Sequence, residues 1–142
     1  MIDEKTAPTL LIGVPYTGIE AAWPYVQNLI EKACARSSGR YTAQDVKEGC
    51  LSRDMQLWTA WRGTIVACAV TEILIYPKIK TCRVMIVTGI GRRQWQQFNN
   101  DIARWAKGMG CSMIEAGARP GWARVLKGDG YRSTHVMLER DL

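Results

Sequence analysis

The run Val84-Met85-Ile86-Val87-Thr88 ends on Gly89-Ile90-Gly91, and the residues that follow switch at once to helical spacing: Trp95, Phe98, Ile102, Trp105, Ala106 and Met109 step by three and four. The helix is expected from Arg92 to about Lys107, where Gly108 and Gly110 end it, and Cys111 to Ala116 reads as a short strand. A strand apolar on both faces, a glycine turn, a long amphipathic helix and a second strand make a crossover unit. Its strands should be neighbours and parallel. A parallel pair needs cover on both faces, so this segment places the chain in the α/β class.

Elsewhere the period changes as such a fold requires. Trp23, Val26, Leu29, Ile30, Ala33 and Cys34 predict a first helix from about Ala21 to Ala35, with Pro24 in its opening turn and Ser37-Ser38-Gly39 after it. Thr42 and Asp45 form a Thr-x-x-Asp start signal for a short second helix through Val46, Cys50 and Leu51. From Met55 to Trp61, Thr64 to Tyr76 and Lys80 to Thr88 the residues are rich in β-branched and aromatic types, interrupted at Arg62-Gly63 and Tyr76-Pro77-Lys78, which predicts an antiparallel meander. Pro120 to Lys127 reads as a short helix with proline at its start, and Tyr131 to Leu138 as a final strand. The expected order is ααβββαβαβ in one domain over residues 1–142, with residues 1–20 an extension or a first strand.

With 142 residues, 47% hydrophobic and 23% charged, the chain is long enough to bury a core without staples. Its five cysteines, Cys34, Cys50, Cys68, Cys82 and Cys111, are odd in number and never form C-x-x-C, so neither a disulfide framework nor a zinc or other metal site is expected. Reduced thiols and a cytoplasmic location follow. The opening Met1-Ile2-Asp3-Glu4-Lys5 and the short apolar stretch Leu10 to Val14 do not make a signal peptide, and no run approaches a membrane span. The net charge of +6 is carried by residues 78–142, which favours an anionic partner, either a phosphate-bearing cofactor or nucleic acid. Without helix-turn-helix or zinc-finger spacing, sequence-specific nucleic-acid reading is not expected.

At Val87, Thr88, Gly89, Ile90, Gly91, Arg92 and Arg93, outward-facing N–H groups, a helix N-terminus and two arginines would suit a pyrophosphate. On residue types alone, a tight strand-to-helix turn with solvated arginines is the simpler reading. Glu72 in the middle strand and Glu115 after the long helix are candidate bases, the alternative being surface acids paired with a nearby arginine. His135 is the only histidine and reads as a surface residue, while Trp122, between Arg119 and Arg124, is either a docking residue or a stacking platform. Trp58 and Trp61 differ in strand parity and should face opposite sides of the sheet.

The order of elements, the glycine turn before the long helix, and the run from Arg119-Pro120-Gly121-Trp122 to Gly128-Asp129-Gly130-Tyr131 resemble the GNAT (N-acetyltransferase) superfamily from about Ala21 to the C-terminus. The resemblance implies a GNAT-like mixed sheet, an antiparallel N-terminal meander followed by a β-α-β crossover with a central parallel strand pair and helices on both faces. It implies that this pair splays around acyl-CoA, with the pyrophosphate on the turn at Val87 to Arg93 and Arg124 adding charge. Acetyl-CoA is the implied cofactor and an unidentified amine the acceptor, with Glu72 or Glu115 assisting the amine. Basic Arg92, Arg93, Arg119, Arg124, Lys127 and Arg132 are expected to gather near one end of the sheet.

The sequence also departs from the family pattern. Ile86 stands where the phosphate motif usually opens with Gln or Arg. Leu126 stands where a tyrosine often protonates the departing thiolate, and Arg119 replaces an Asn. These departures favour a second reading, a catalytically inactive GNAT-like binding or structural protein whose partners are proteins of an assembly. Small phage-encoded GNAT-like proteins, some of them virion components, are similar in character. In that reading Met85, Met113 or Trp122 fills the cleft.

Overall fold

The computed structural model describes residues 9–89 and 92–142, and at residues 92–94 and 96 the backbone alone. A first strand, β1 (Leu10–Val14), leads through a 3-10 turn at Tyr16–Gly18 into α1 (Ile19–Cys34) and α2 (Ala43–Leu51). The meander β2 (Met55–Trp61), β3 (Ile65–Ile75) and β4 (Lys80–Thr88) follows, then α3 (Arg92–Gly108), β5 (Met113–Ala116) and α4 (Pro120–Lys127). The five strands form one sheet in the order β1-β2-β3-β4-β5. Every pair is antiparallel except β4 and β5, which are parallel.

Two apolar layers enclose the sheet. On one face α1 and α2 bury Ile19, Trp23, Val26, Ile30 and Val46 against Leu57, Cys68, Val70 and Ile86. On the other, Trp95, Phe98, Ile102 and Ala106 of α3 and Leu126 of α4 pack on Ala67, Ala69, Cys82 and Val84. The central strands are therefore apolar on both sides, as their sequences require. All five cysteines are buried free thiols. Among the described residues no helix is long and apolar enough to cross a membrane.

The expected capping box is present: the Asp45 N–H donates to Thr42 Oγ1 at 3.2 Å and the Thr42 N–H donates to Asp45 Oδ2 at 2.9 Å. Helix α1 starts earlier than its apolar stripe predicts, so Pro24 lies inside it and removes a bond to the Glu20 carbonyl. Pro24 is exposed, which leaves that carbonyl to water. The stretch Leu10–Val14, at most an optional strand by sequence, is the edge strand β1.

The expected final strand at Tyr131 to Leu138 is absent. Its residues have the side chains of a strand, but the chain is fixed elsewhere at both ends. The Tyr131 N–H donates to the Leu126 carbonyl at 3.1 Å and its hydroxyl to Asn99 Oδ1 of α3 at 2.6 Å. Glu139 is held by Arg40 and Ser38, between α1 and α2, each at 3.0 Å. The tail thus runs from the α3 face to the α1–α2 face, and a segment crossing a sheet cannot follow one of its strands.

Candidate functional site: the divergence of β4 and β5

β5 pairs with β4 only from Thr81↔Met113 to Val84↔Ala116. β4 then continues through Met85, Ile86, Val87 and Thr88, while β5 ends at Ala116 and its continuation leaves the sheet at Gly117 and starts α4 at Pro120. On its other side β4 stays paired, Ile86 with Val70, Val87 with Ala69 and Thr88 with Cys68. The backbone groups of this last stretch that face away from β3 therefore have no strand partner among the described residues.

The divergence coincides with a bulge. Val70 opposes Ile86 and Thr71 opposes Val84, so Met85 is an extra residue in β4. The bulge reverses which side chains face which layer. Before it Cys82 and Val84 face α3; after it Ile86 faces α1 and Val87 packs on the α3 side. Ile86, at the position where a Gln or Arg was sought, is thereby buried in the α1–α2 core.

Gly89 ends β4 with φ +84°. A Cβ there would sit 2.6 Å from the Val66 carbonyl oxygen and 3.0 Å from Ala67 Cα, so β3 backbone and φ both demand glycine. The N-terminus of α3 follows three residues later, at Arg92. Val87 and Thr88 are thus on the divergent end of β4 and Gly89 at its turn. Ile90 and Gly91, and the side chains of Arg92 and Arg93, lie outside the description.

Helix α4 follows the end of β5 after three residues. Arg119 is its extended N-cap residue, with no side-chain cap. Pro120, Gly121, Arg124 and Val125 line an open depression of about 580 Å³. Trp122 does not form a platform: it meets Trp95 edge-on at 6.5 Å and packs on the α3 core. Met85 is half-buried on the α1–α2 side and Met113 is 41% exposed, so neither lies in the α3 core. The void beneath α3 between Ala67, Ala69, Val87 and Phe98 measures about 10 Å³ and holds one water at most.

The two candidate acids are brought together. Register places Glu72 of β3 beside Arg83 of β4 and Arg83 beside Glu115 of β5, one row across three strands. Arg83 Nε and Nη2 both lie 3.3 Å from Glu115 Oε1, and Arg83 Nη1 lies 3.6 Å from Glu72 Oε1. Thr81 Oγ1 also donates to Glu115 at 3.4 Å, and Arg83 Nη2 to the Tyr76 hydroxyl at 3.5 Å. The arginine partner that sequence left open is real. It was missed by name because cross-strand neighbours are set by register, which spacing along the chain does not encode.

Other expectations resolve individually. Trp58 and Trp61 face opposite layers: Trp58 is buried and donates to Thr71 Oγ1 at 3.0 Å, whereas Trp61 is half-buried and donates to Thr59 Oγ1 at 2.8 Å. His135 is exposed beside Thr134. Leu126 is buried in the α3 core. Tyr131 is half-buried on the same core, where burial, more than the nearby Cys82 charge, pushes its phenol up to about 12. Lys127 ends α4 and Arg132 is exposed in the tail.

No protein-family model matches the chain, and no curated protein matches it in sequence. Solved structures do. A probable acetyltransferase superposes with a TM-score of 0.68 at 9% identity, over 94% of this chain and 96% of that one. A predicted acetyltransferase from Clostridium acetobutylicum, solved with acetyl-CoA, gives 0.68 at 14% identity over 94% and 96%. An aminoglycoside acetyltransferase from an uncultured soil metagenomic sample, in complex with sisomicin, gives 0.67 at 9% over 94% and 96%. At such identities the likeness speaks for architecture alone. The chain has the GNAT (N-acetyltransferase) fold.

Proposed function

We propose that this protein is an acyl-CoA-dependent N-acyltransferase that passes an acetyl group directly from acetyl-CoA to an amine. The observation that carries the reading is the divergence of β4 and β5, which leaves strand-like backbone groups of β4 without a strand partner among the described residues, at one end of the sheet and next to a helix N-terminus. A pantetheine arm, with amides of its own, suits the free edge of Met85 to Thr88. Diphosphate suits the turn, through the N–H groups of Gly89 to Arg93. Arg92, Arg93 and Arg124 would add positive charge.

When bound, acetyl-CoA supplies the acyl group as a thioester. The chain's part is to orient it and take a proton from the amine. Of the two acids, Glu115 is engaged by Thr81 and by two nitrogens of Arg83, while Glu72 holds one longer contact to Arg83. Glu72 is thus the freer acceptor, Glu115 the better-satisfied neighbour. Leu126 offers no proton to the leaving sulfur, so the reading assigns no acid at that position.

The rival reading, a GNAT-like binding or structural protein such as a virion component, is favoured by Leu126 and by buried Ile86. Calorimetric titration with acetyl-CoA separates the two. Saturable heat that is lost in Arg92→Ala/Arg93→Ala supports the acyltransferase. No heat at about millimolar ligand, a ceiling near −4 kcal/mol, removes the cofactor and leaves the rival. If acetyl-CoA binds, Glu72→Gln should leave that affinity unchanged and lower the acetylation rate about 100-fold, in the range typical of a lost general base.

A further inference from the structure

The β3–β4 hairpin reaches past its neighbour in the sheet. β2 begins at Met55, opposite Glu72, so Ile73, Leu74 and Ile75 extend beyond it by about 10 Å at the rise of a strand. The turn Tyr76-Pro77-Lys78-Ile79 closes the tip, the Tyr76 N–H donating to the Ile79 carbonyl at 2.8 Å. This is the opposite end of β4 from Gly89. The outermost side chains are apolar: Ile75 is 80% exposed, Ile79 40% and Tyr76 43%. Ile73 packs into the α3 layer, so alternation puts Ile75 on that side of the sheet. Met109, exposed just past α3, is held beside it, because its carbonyl accepts from Lys80 Nζ at 2.6 Å and Lys80 stands opposite Ile75.

The charge around this tip is of one sign. Residues 73–82 and 102–114 hold Lys78, Lys80, Arg104 and Lys107 and no carboxylate. Arg104 is paired with Asp101, whereas Lys78 and Lys107 have no ion-pair partner among the described residues. The flanking acids Glu72 and Glu115 are both engaged by Arg83. Exposed aliphatic side chains among lysines match the surface of an anionic bilayer. There the apolar residues sit at the boundary of headgroups and acyl chains, about 5–10 Å deep, while the lysines stay with the headgroups. The hairpin projects by a comparable length. A projecting tip offers no groove to seat a peptide, and aliphatic side chains supply none of the stacking rings that single-stranded nucleic acid calls for.

We propose that the β3–β4 tip, Ile75 to Lys80 with Lys107 and Met109 beside it, docks on the surface of an anionic phospholipid bilayer. The contact is peripheral, and it leaves the turn at Gly89 at the end of the sheet away from the lipid.

Co-sedimentation of the full chain with vesicles tests this. Phosphatidylserine–phosphatidylcholine vesicles should bind the protein at low salt, and vesicles of phosphatidylcholine alone should not. Lys78→Gln/Lys107→Gln should lower the partition coefficient about 5-fold for each lysine lost. Ile75→Ser/Ile79→Ser should abolish binding. Both variants should keep the circular dichroism of the parent, since all four side chains are exposed. An environment-sensitive dye on Ile79→Cys should shift to the blue on the anionic vesicles, the five native thiols being buried and unlabelled. Failure to bind anionic vesicles overturns the proposal, as does binding that the isoleucine variant leaves intact or that is equally strong on phosphatidylcholine alone. Binding of a single-stranded oligonucleotide in place of vesicles, or a dimer in place of vesicle binding that the isoleucine variant abolishes, gives the tip to another occupant and overturns it too.

Discussion

Gly89 shows how little freedom one residue has at the end of β4. With φ +84° and the Val66 carbonyl 2.6 Å from an added Cβ, Gly89→Ala should lower stability by about 2 kcal/mol, read as a shift in the urea midpoint. The cysteines act in the opposite sense, by what they do not do. Burial pushes Cys68 and Cys82 up to about 12 from an ordinary 9.0. A thiol raised in the folded state adds stability that is complete below its unfolded value and lost as pH rises through the folded one. Stability should therefore decline progressively between pH 9 and about 12, and a thiol reagent at neutral pH should label the five cysteines only after unfolding. Arg83 is different again: 43% exposed between two carboxylates, it organises the Glu72–Glu115 row more than it stabilises the fold.

Among the elements, α2 is short and depends on its start. Thr42→Ala removes the oxygen that accepts from the Asp45 N–H and should cost about 1 kcal/mol. Asp45 itself is held below the usual carboxylate range, first by the Thr42 N–H and then by the Thr42 hydroxyl. Its contribution is present above the ordinary value of 3.8 and fades as pH falls through the lowered one, so the effect of Thr42→Ala should shrink in acid. Helix α3 was legible from end to end because its apolar stripe and glycine stops are local signals. Phe98, 1% exposed on that stripe, should cost about 3–5 kcal/mol on truncation to alanine. The strand expected at Tyr131–Leu138 failed for the reason α3 succeeded: strand formation needs an edge to follow, and no property of the segment says where its ends are tied.

At the scale of the whole molecule, two apolar layers clamp a five-stranded sheet that opens between β4 and β5. A ligand seated there would join the α3–α4 layer to the β4 end of the sheet. If acetyl-CoA is that ligand, about 2.7 kcal/mol of added stability is expected at 100 times its dissociation constant, seen as a raised melting temperature that is absent in Arg92→Ala/Arg93→Ala.

The sequence by itself determined the class, the meander, the crossover helix and the parallel pair, because apolar period, capping residues and glycine stops act over a few residues. It also singled out Glu72 and Glu115 as candidate bases. Tertiary structure alone decided that Arg83 stands between them, that the bulge at Met85 turns Ile86 into the core, and that the tail crosses the sheet. Each of these depends on register or on contacts between residues far apart in the chain, such as Arg40 with Glu139. Such contacts form only once the layers have packed, so no local pattern carries them.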